Sequence, residues 1–351
     1  MDKLTNKRNC SLDIARIIAV LAVVMIHCCA TFITDYKPHT SEFIFGNLFE
    51  SVARLGVPFF LMISGALFLD ENKEITLKGI LSKNVKNLAM ITIGWAFIYA
   101  VIYYAAVPAF TGKGISVKKL LISIIDGHYH MWYLYMIIGL YVVTPFLKKF
   151  VCKENKGMVL FFIIVSFVVQ FLLSMLDKIC IQHFNIDYIG ARIRKFHLDF
   201  FGGYITYFLV GWYIVHIGIK QKHLKYILYL LGMLSLATII IYAQYTGDYK
   251  NAYENIGAPV FLYSVSTFVA INGIKLNFKE KTAERIAKLS KLTFGVYIIH
   301  VLILTVFCKV LPYRQHSVLY IVLCFVTVAC SSFLCSYIIS KIPAIKKLIK
   351  A

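Results

Sequence analysis

The segment from Leu12 to about Ile33 is apolar for long enough to cross a membrane, yet it carries two ionisable side chains, Arg16 and His27, with ten residues between them. At 100° and ~1.5 Å per residue, eleven steps along a helix return to almost the same face ~16 Å further on. Both groups therefore lie on one stripe of one helix. Ionisable side chains at membrane depth cost ~2.5–3.5 kcal/mol on insertion scales for Arg, Lys or Asp, so they face a protein interior or a watery cavity. A chain with this segment has to fold around a polar interior, and a reaction or a permeation path is the default reading of it.

Nine further segments are long enough to span a hydrocarbon core of ~30 Å, which takes about 20 helical residues. They run Phe43 to Leu69, Leu88 to Phe110, His130 to Leu147, Met158 to Leu176, Asp199 to Ile219, Tyr226 to Tyr245, Ala258 to Ile274, Leu292 to Leu311 and Val318 to Ile339. Hydrophobic residues make up 60% of the 351 positions and charged residues 15%, against about 45–50% and 25% in a soluble domain. The expected fold class is all-α: a polytopic integral membrane protein with about ten transmembrane helices, forming one membrane-embedded domain over residues 1–351. A net charge of +20 would point to nucleic acid in a soluble chain. Here most Lys and Arg fall in short loops on the N-terminal side, so no nucleic-acid partner is expected, and the positive-inside rule places both termini in the cytoplasm. The first segment reads as a retained helix, because a discarded signal peptide needs neither the arginine nor the histidine. The nine cysteines lie mostly in apolar segments and read as small buried hydrophobes, without a disulfide framework. No Walker loop, nucleotide-binding strand–helix unit or metal-ligand spacing occurs, which argues against an ATP-driven pump and against a bound metal or cofactor.

Polar residues concentrate in segments one, two, four, six and nine. A neutral imidazole has a reference pKa near 6.5, suited to taking a proton at neutral pH, so His27 reads either as a general base or as a helix-packing histidine. Asp13, one turn before Arg16, can pair with it or simply favour the helix start. Arg54 is too deep to reach the interface, so it should contact an anion or carboxylate; Glu50, one turn earlier, is the plain partner. His130, Trp132 and Tyr133 open segment four at the depth of His27, where an interfacial aromatic belt and a sugar-binding surface are both reasonable. Tyr297 and His300 share a face, as pocket lining or as interhelical hydrogen-bonding groups. His128 reads as an exposed loop residue and His216 as interfacial. Lys78, Lys83 and Lys86, with Lys275, Lys279 and Lys281, either neutralise phosphates or only obey the positive-inside rule.

Taken together the motifs resemble the integral-membrane acyltransferase-3 family. Ser11 to His27 is similar to its opening Arg-x10-His helix, and three further stretches follow in the family's order: Arg54-Leu55-Gly56-Val57-Pro58-Phe59-Phe60 to Gly65, His130-Met131-Trp132-Tyr133-Leu134, and Leu289-Ser290-Lys291-Leu292-Thr293-Phe294-Gly295-Val296-Tyr297-Ile298-Ile299-His300. The likeness covers essentially the whole chain and is greatest to stand-alone bacterial polysaccharide O-acetyltransferases. It implies a multi-pass protein of the bacterial inner (plasma) membrane that moves an acyl group, acetyl above all, from cytoplasmic acyl-CoA to a hydroxyl of a cell-surface glycan or lipid-linked glycan precursor. His27 would be the base, Asp13 and Arg16 its catalytic companions. Arg54, with Lys83 and Lys86 at the positions of a common Arg-x-x-Arg motif, would serve the donor. Lysine there keeps the charge but loses the bidentate fork. His130, Trp132, Tyr133, Tyr297 and His300 would meet the acceptor. The extracellular hydrolase-like domain of some members is not expected. The competing class is a secondary transporter or exporter of an envelope precursor or amino acid, although no second Arg-x10-His half marks an inverted repeat.

Overall fold

The computed structural model describes residues 10–106, 111–112, 114, 116–184, 202–274, 276, 278–311 and 318–350. All regular structure among them is helical. Eight helices are long and apolar enough to cross a membrane: α1 (Cys10–Thr34), Ser41–Phe68, α4 (Leu77–Ala106), Val117–Phe150, α7 (Lys156–Ile181), α9 (Lys222–Thr246), α12 (Glu280–Val310) and α13 (Val318–Lys341). Two shorter apolar helices, α8 (Tyr204–Ile217) and α11 (Ala258–Gly273), coincide with expected segments six and eight, and a single turn, α10 (Tyr249–Ala252), precedes α11. The start of segment six at Asp199, the end of segment three and Lys275 lie outside the described residues.

Two spans are composite. Ser41–Phe68 consists of α2 (Ser41–Ala53) and α3 (Gly56–Phe68), with a turn at Arg54 and Leu55. Pro58 explains the break, since it has no N–H to offer the carbonyl of residue 54 and its ring crowds that carbonyl. Just before the turn, the Val52 carbonyl accepts the Tyr263 hydroxyl at 3.0 Å. Val117–Phe150 consists of α5 (Val117–Asp126), a 3-10 turn over Tyr129–Met131, and α6 (Trp132–Phe150). Thr111 to Gly127, between the third and fourth expected segments, falls outside every expected helix. Its apolar residues recur at helical spacing instead, with Lys118 and Lys119 between them, and α5 packs against α4.

The outward surface carries large apolar side chains, among them Ile93, Phe97, Phe161, Met233 and Leu319, each more than half exposed. Such a belt suits lipid contact, because hydrocarbon offers apolar groups no reason to hide. The interior is organised on α1, which touches α2, α3, α11, α12 and α13. Ala15, Ala19 and Val20 on α1 are completely buried. Small residues let backbones approach, and this is most pronounced where α3 crosses α8. A methyl group on Gly65 would fall on the backbone carbonyl of Phe208, and one on Gly211 on that of Met62.

Candidate active site

α1 and α12 run side by side in the same direction. Near the start of α1, Arg16 donates to Ser290 Oγ at 3.0 Å and contacts Asp13 at 3.4 Å; further along, the His27 and His300 rings lie 5.1 Å apart. These contacts are eleven residues apart on α1 and ten on α12, ~16 and ~15 Å of helix. The spacing read on the first helix is thus matched by its neighbour, Ser290 opposite Arg16 and His300 opposite His27.

Beside the Cys10 end of α1 lies a cavity of about 470 Å³. Arg16, Lys291 and Lys350 line it, together with Ser290 and Asn84, and among the described residues no carboxylate does. Its walls are apolar, with Ile63, Leu134, Ile137 and Phe294 among them. Phe60, Tyr133 and Tyr297 also line it and pack on one another, with centroids 5.7–6.4 Å apart. Tyr297 joins this wall to the histidines. Its hydroxyl donates to the His130 carbonyl at 2.5 Å, and its own carbonyl accepts from His300 Nδ1 at 2.6 Å. A carbonyl can only accept, so the His300 proton sits on Nδ1 and the lone pair on Nε2. That Nε2 is buried and has no hydrogen-bond partner among the described residues.

His27 faces this group. Its ring lies 5.4 Å from Tyr129, 5.1 Å from His300 and 6.5 Å from His130. His128 belongs here too, which corrects its reading as an exposed loop residue. It is half-buried, stacks on Tyr99 at 4.6 Å, and places Nδ1 3.0 Å from Nδ1 of His130. The signal for it was the sequence His128-Tyr129-His130 itself, with Gly127 at φ +71° turning the chain into the bundle. The imidazoles do not converge as a metal site among the described residues.

Toward the Thr34 end a second pocket, about 240 Å³, is lined by α1 residues Ala30, Ile33 and Thr34, by Glu50 and Arg54, and by Tyr249, Lys250 and Tyr253. Thr34 lies seven residues beyond His27, about 20° off its stripe and ~10 Å further along. Arg54, held at the helix break, pairs with Glu50, donates to the Tyr253 carbonyl at 3.3 Å, and lies 4.5 Å over the Tyr253 ring. Burial pushes the Tyr253 phenol up, and the neighbouring Arg54 charge pulls it partly back.

The family model described as an acyltransferase domain, that of the acyltransferase-3 family, matches residues 9–337. The chain belongs to the acyltransferase-3 family. No curated protein and no solved structure matches it.

In this acyltransferase-3 protein, a multi-pass membrane acyltransferase, most of the expected site residues fall into three places. His27, His130, Tyr297 and His300 meet at one level, with Tyr133 on the adjoining cavity wall. Arg16 stands at the cationic cavity with Asp13 against it, in reach to hold the guanidinium. Arg54 opens toward the second pocket, away from that cavity. Lys83 and Lys86 are exposed and line neither space, and Trp132 is 40% exposed against Tyr204. His216 bonds the Ala66 carbonyl through Nε2 at 2.8 Å, so it ties α8 to α3.

Proposed function

We propose that the protein transfers an acyl group, acetyl in the first instance, from cytoplasmic acyl-CoA to a hydroxyl of a cell-surface glycan or its lipid-linked precursor. The observation carrying this reading is the order of features along α1: a cationic cavity with largely apolar walls, then the histidine cluster, then a polar pocket. A phosphorylated donor with a slender neutral arm matches the first space, and a sugar hydroxyl the last. Lys and Arg distribution supports both termini, and hence the cationic cavity, on the cytoplasmic side.

In the proposed reaction His27 takes the proton of the acceptor hydroxyl as its oxygen attacks the thioester carbonyl. The new C–O bond forms, the C–S bond breaks, and the proton leaves with the thiolate as free thiol. His300, its Nε2 lone pair turned out by the Tyr297 carbonyl, accepts from the imidazolium that forms on His27. Arg16 holds the donor at the cavity, and Arg54 with Glu50 receives the acceptor. An acyl-histidine route needs the same groups.

Membranes holding wild type or His27→Ala at equal abundance, given radiolabelled acetyl-CoA and the host's envelope glycan, test the reading. Label should enter glycan with wild type and fall by at least about a hundredfold with the variant. Absence of transfer by wild type from acetyl, succinyl and longer donors would instead favour the transporter class.

A further inference from the structure

The segment following α13 turns back beneath the bundle. Residues Lys346–Ile349 form a 3-10 turn in which Ile349 is buried, only 3% exposed. The Trp95 indole N–H donates to the Leu348 carbonyl at 2.8 Å. Gly295 keeps one side close: a methyl there would meet Ser336 first and Ile349 Cβ at 3.3 Å, while Leu348 lies in ordinary contact range of Gly94. Lys350 follows directly and lines the cationic cavity with Lys291 and Arg16. Its backbone is therefore held by anchored neighbours.

The three cations differ in what they already bind. Arg16 is engaged by Asp13 and Ser290, whereas Lys291 and Lys350 make no ion pair among the described residues. The positive-inside rule accounts for lysines on this side of the membrane. It does not account for a buried isoleucine and an indole hydrogen bond fastening one of them against a cavity that has no acid in its lining among the described residues.

We propose that residues 342–350 form a strap over the donor cavity whose Lys350, with Lys291 across from it, recognises the phosphate groups of the donor. This assignment rests on the acyl-CoA reading above and moves phosphate recognition away from Lys83 and Lys86, which do not line the cavity. Lysine binds phosphate as a point charge on a flexible stem, so the strap recognises the phosphorylated end of the donor and leaves the thioester to the histidines.

The test compares two donors with the full-length protein in membranes: acetyl-CoA, and S-acetyl-pantetheine, which keeps the thioester arm and lacks every phosphate. Lys350→Gln and Lys291→Gln should each raise KM for acetyl-CoA roughly threefold to tenfold, with kcat nearly unchanged. Neither should alter KM for acetyl-pantetheine. Trp95→Phe, which frees the strap while leaving both lysines, should show the same selectivity, and Lys350→Arg should restore acetyl-CoA affinity. Equal KM changes for both donors, or no change for either, would overturn the strap and leave the acyl-CoA reading standing. A wild-type protein that transfers from neither donor would overturn that reading and the strap with it.

Discussion

Arg54 illustrates how a single charge is accommodated at membrane depth. Its guanidinium meets the Glu50 carboxylate, the Tyr253 carbonyl and the Tyr253 ring, so most of what water would have offered is replaced. Removing one member of such a pair strands the other in a low dielectric, at ~3–5 kcal/mol, whereas removing both is far milder. Glu50→Leu should therefore lower the melting temperature in detergent more than the double variant Glu50→Leu/Arg54→Leu does. A double variant at least as unstable as Glu50→Leu would show that Arg54 is not held chiefly by its counter-charge. The sequence announced Arg54, and Glu50 one turn before it, because both stand out in an apolar run. Tyr253 could not be found that way, being a tyrosine in a polar connection about two hundred residues distant.

At the scale of elements, the crossing of α3 and α8 depends on two glycines facing one another's backbones. Overpacking a close contact costs ~1–3 kcal/mol, so Gly65→Ala and Gly211→Ala should each lower the detergent melting temperature. Gly139→Ala, where an added methyl meets nothing within 4 Å, should leave it unchanged or raise it. Equal effects at all three positions would refute the close-crossing argument. Hydropathy located a helix at each of the ten expected segments. It did not register that α8 is short, or that segment two breaks at Arg54, since a window average is blind to one missing N–H. The helix Val117–Asp126 escaped for the opposite reason: its lysines lower the average while its periodicity is good.

At the scale of the whole molecule, the two spaces at opposite ends of α1 require Lys250 and Lys350 to lie on opposite sides of the membrane. With a membrane-impermeant thiol reagent on intact cells, Lys250→Cys should label beyond the background of the native cysteines. Lys350→Cys should label only after permeabilisation. The reverse pattern would put the cationic cavity outside, beyond the reach of cytoplasmic acyl-CoA, and the proposed direction of transfer would fail.

Chain periodicity alone put Arg16 and His27 on one face of the first helix, because helical geometry is local and the cost of a buried charge is paid wherever it occurs. Composition and the order of motifs likewise carried the helical membrane class and the acyltransferase-3 family. The tertiary structure decided which groups meet. His300 reaches His27 because α12 lies parallel to α1 with nearly the same residue spacing; His128 enters the cluster because a positive-φ glycine turns the chain inward. Asp13 stays with Arg16, while Lys83 and Lys86 yield the cavity to Lys291 and Lys350. Those choices depend on register and close approach between helices far apart in the chain, and no residue pattern within one segment encodes the position of another.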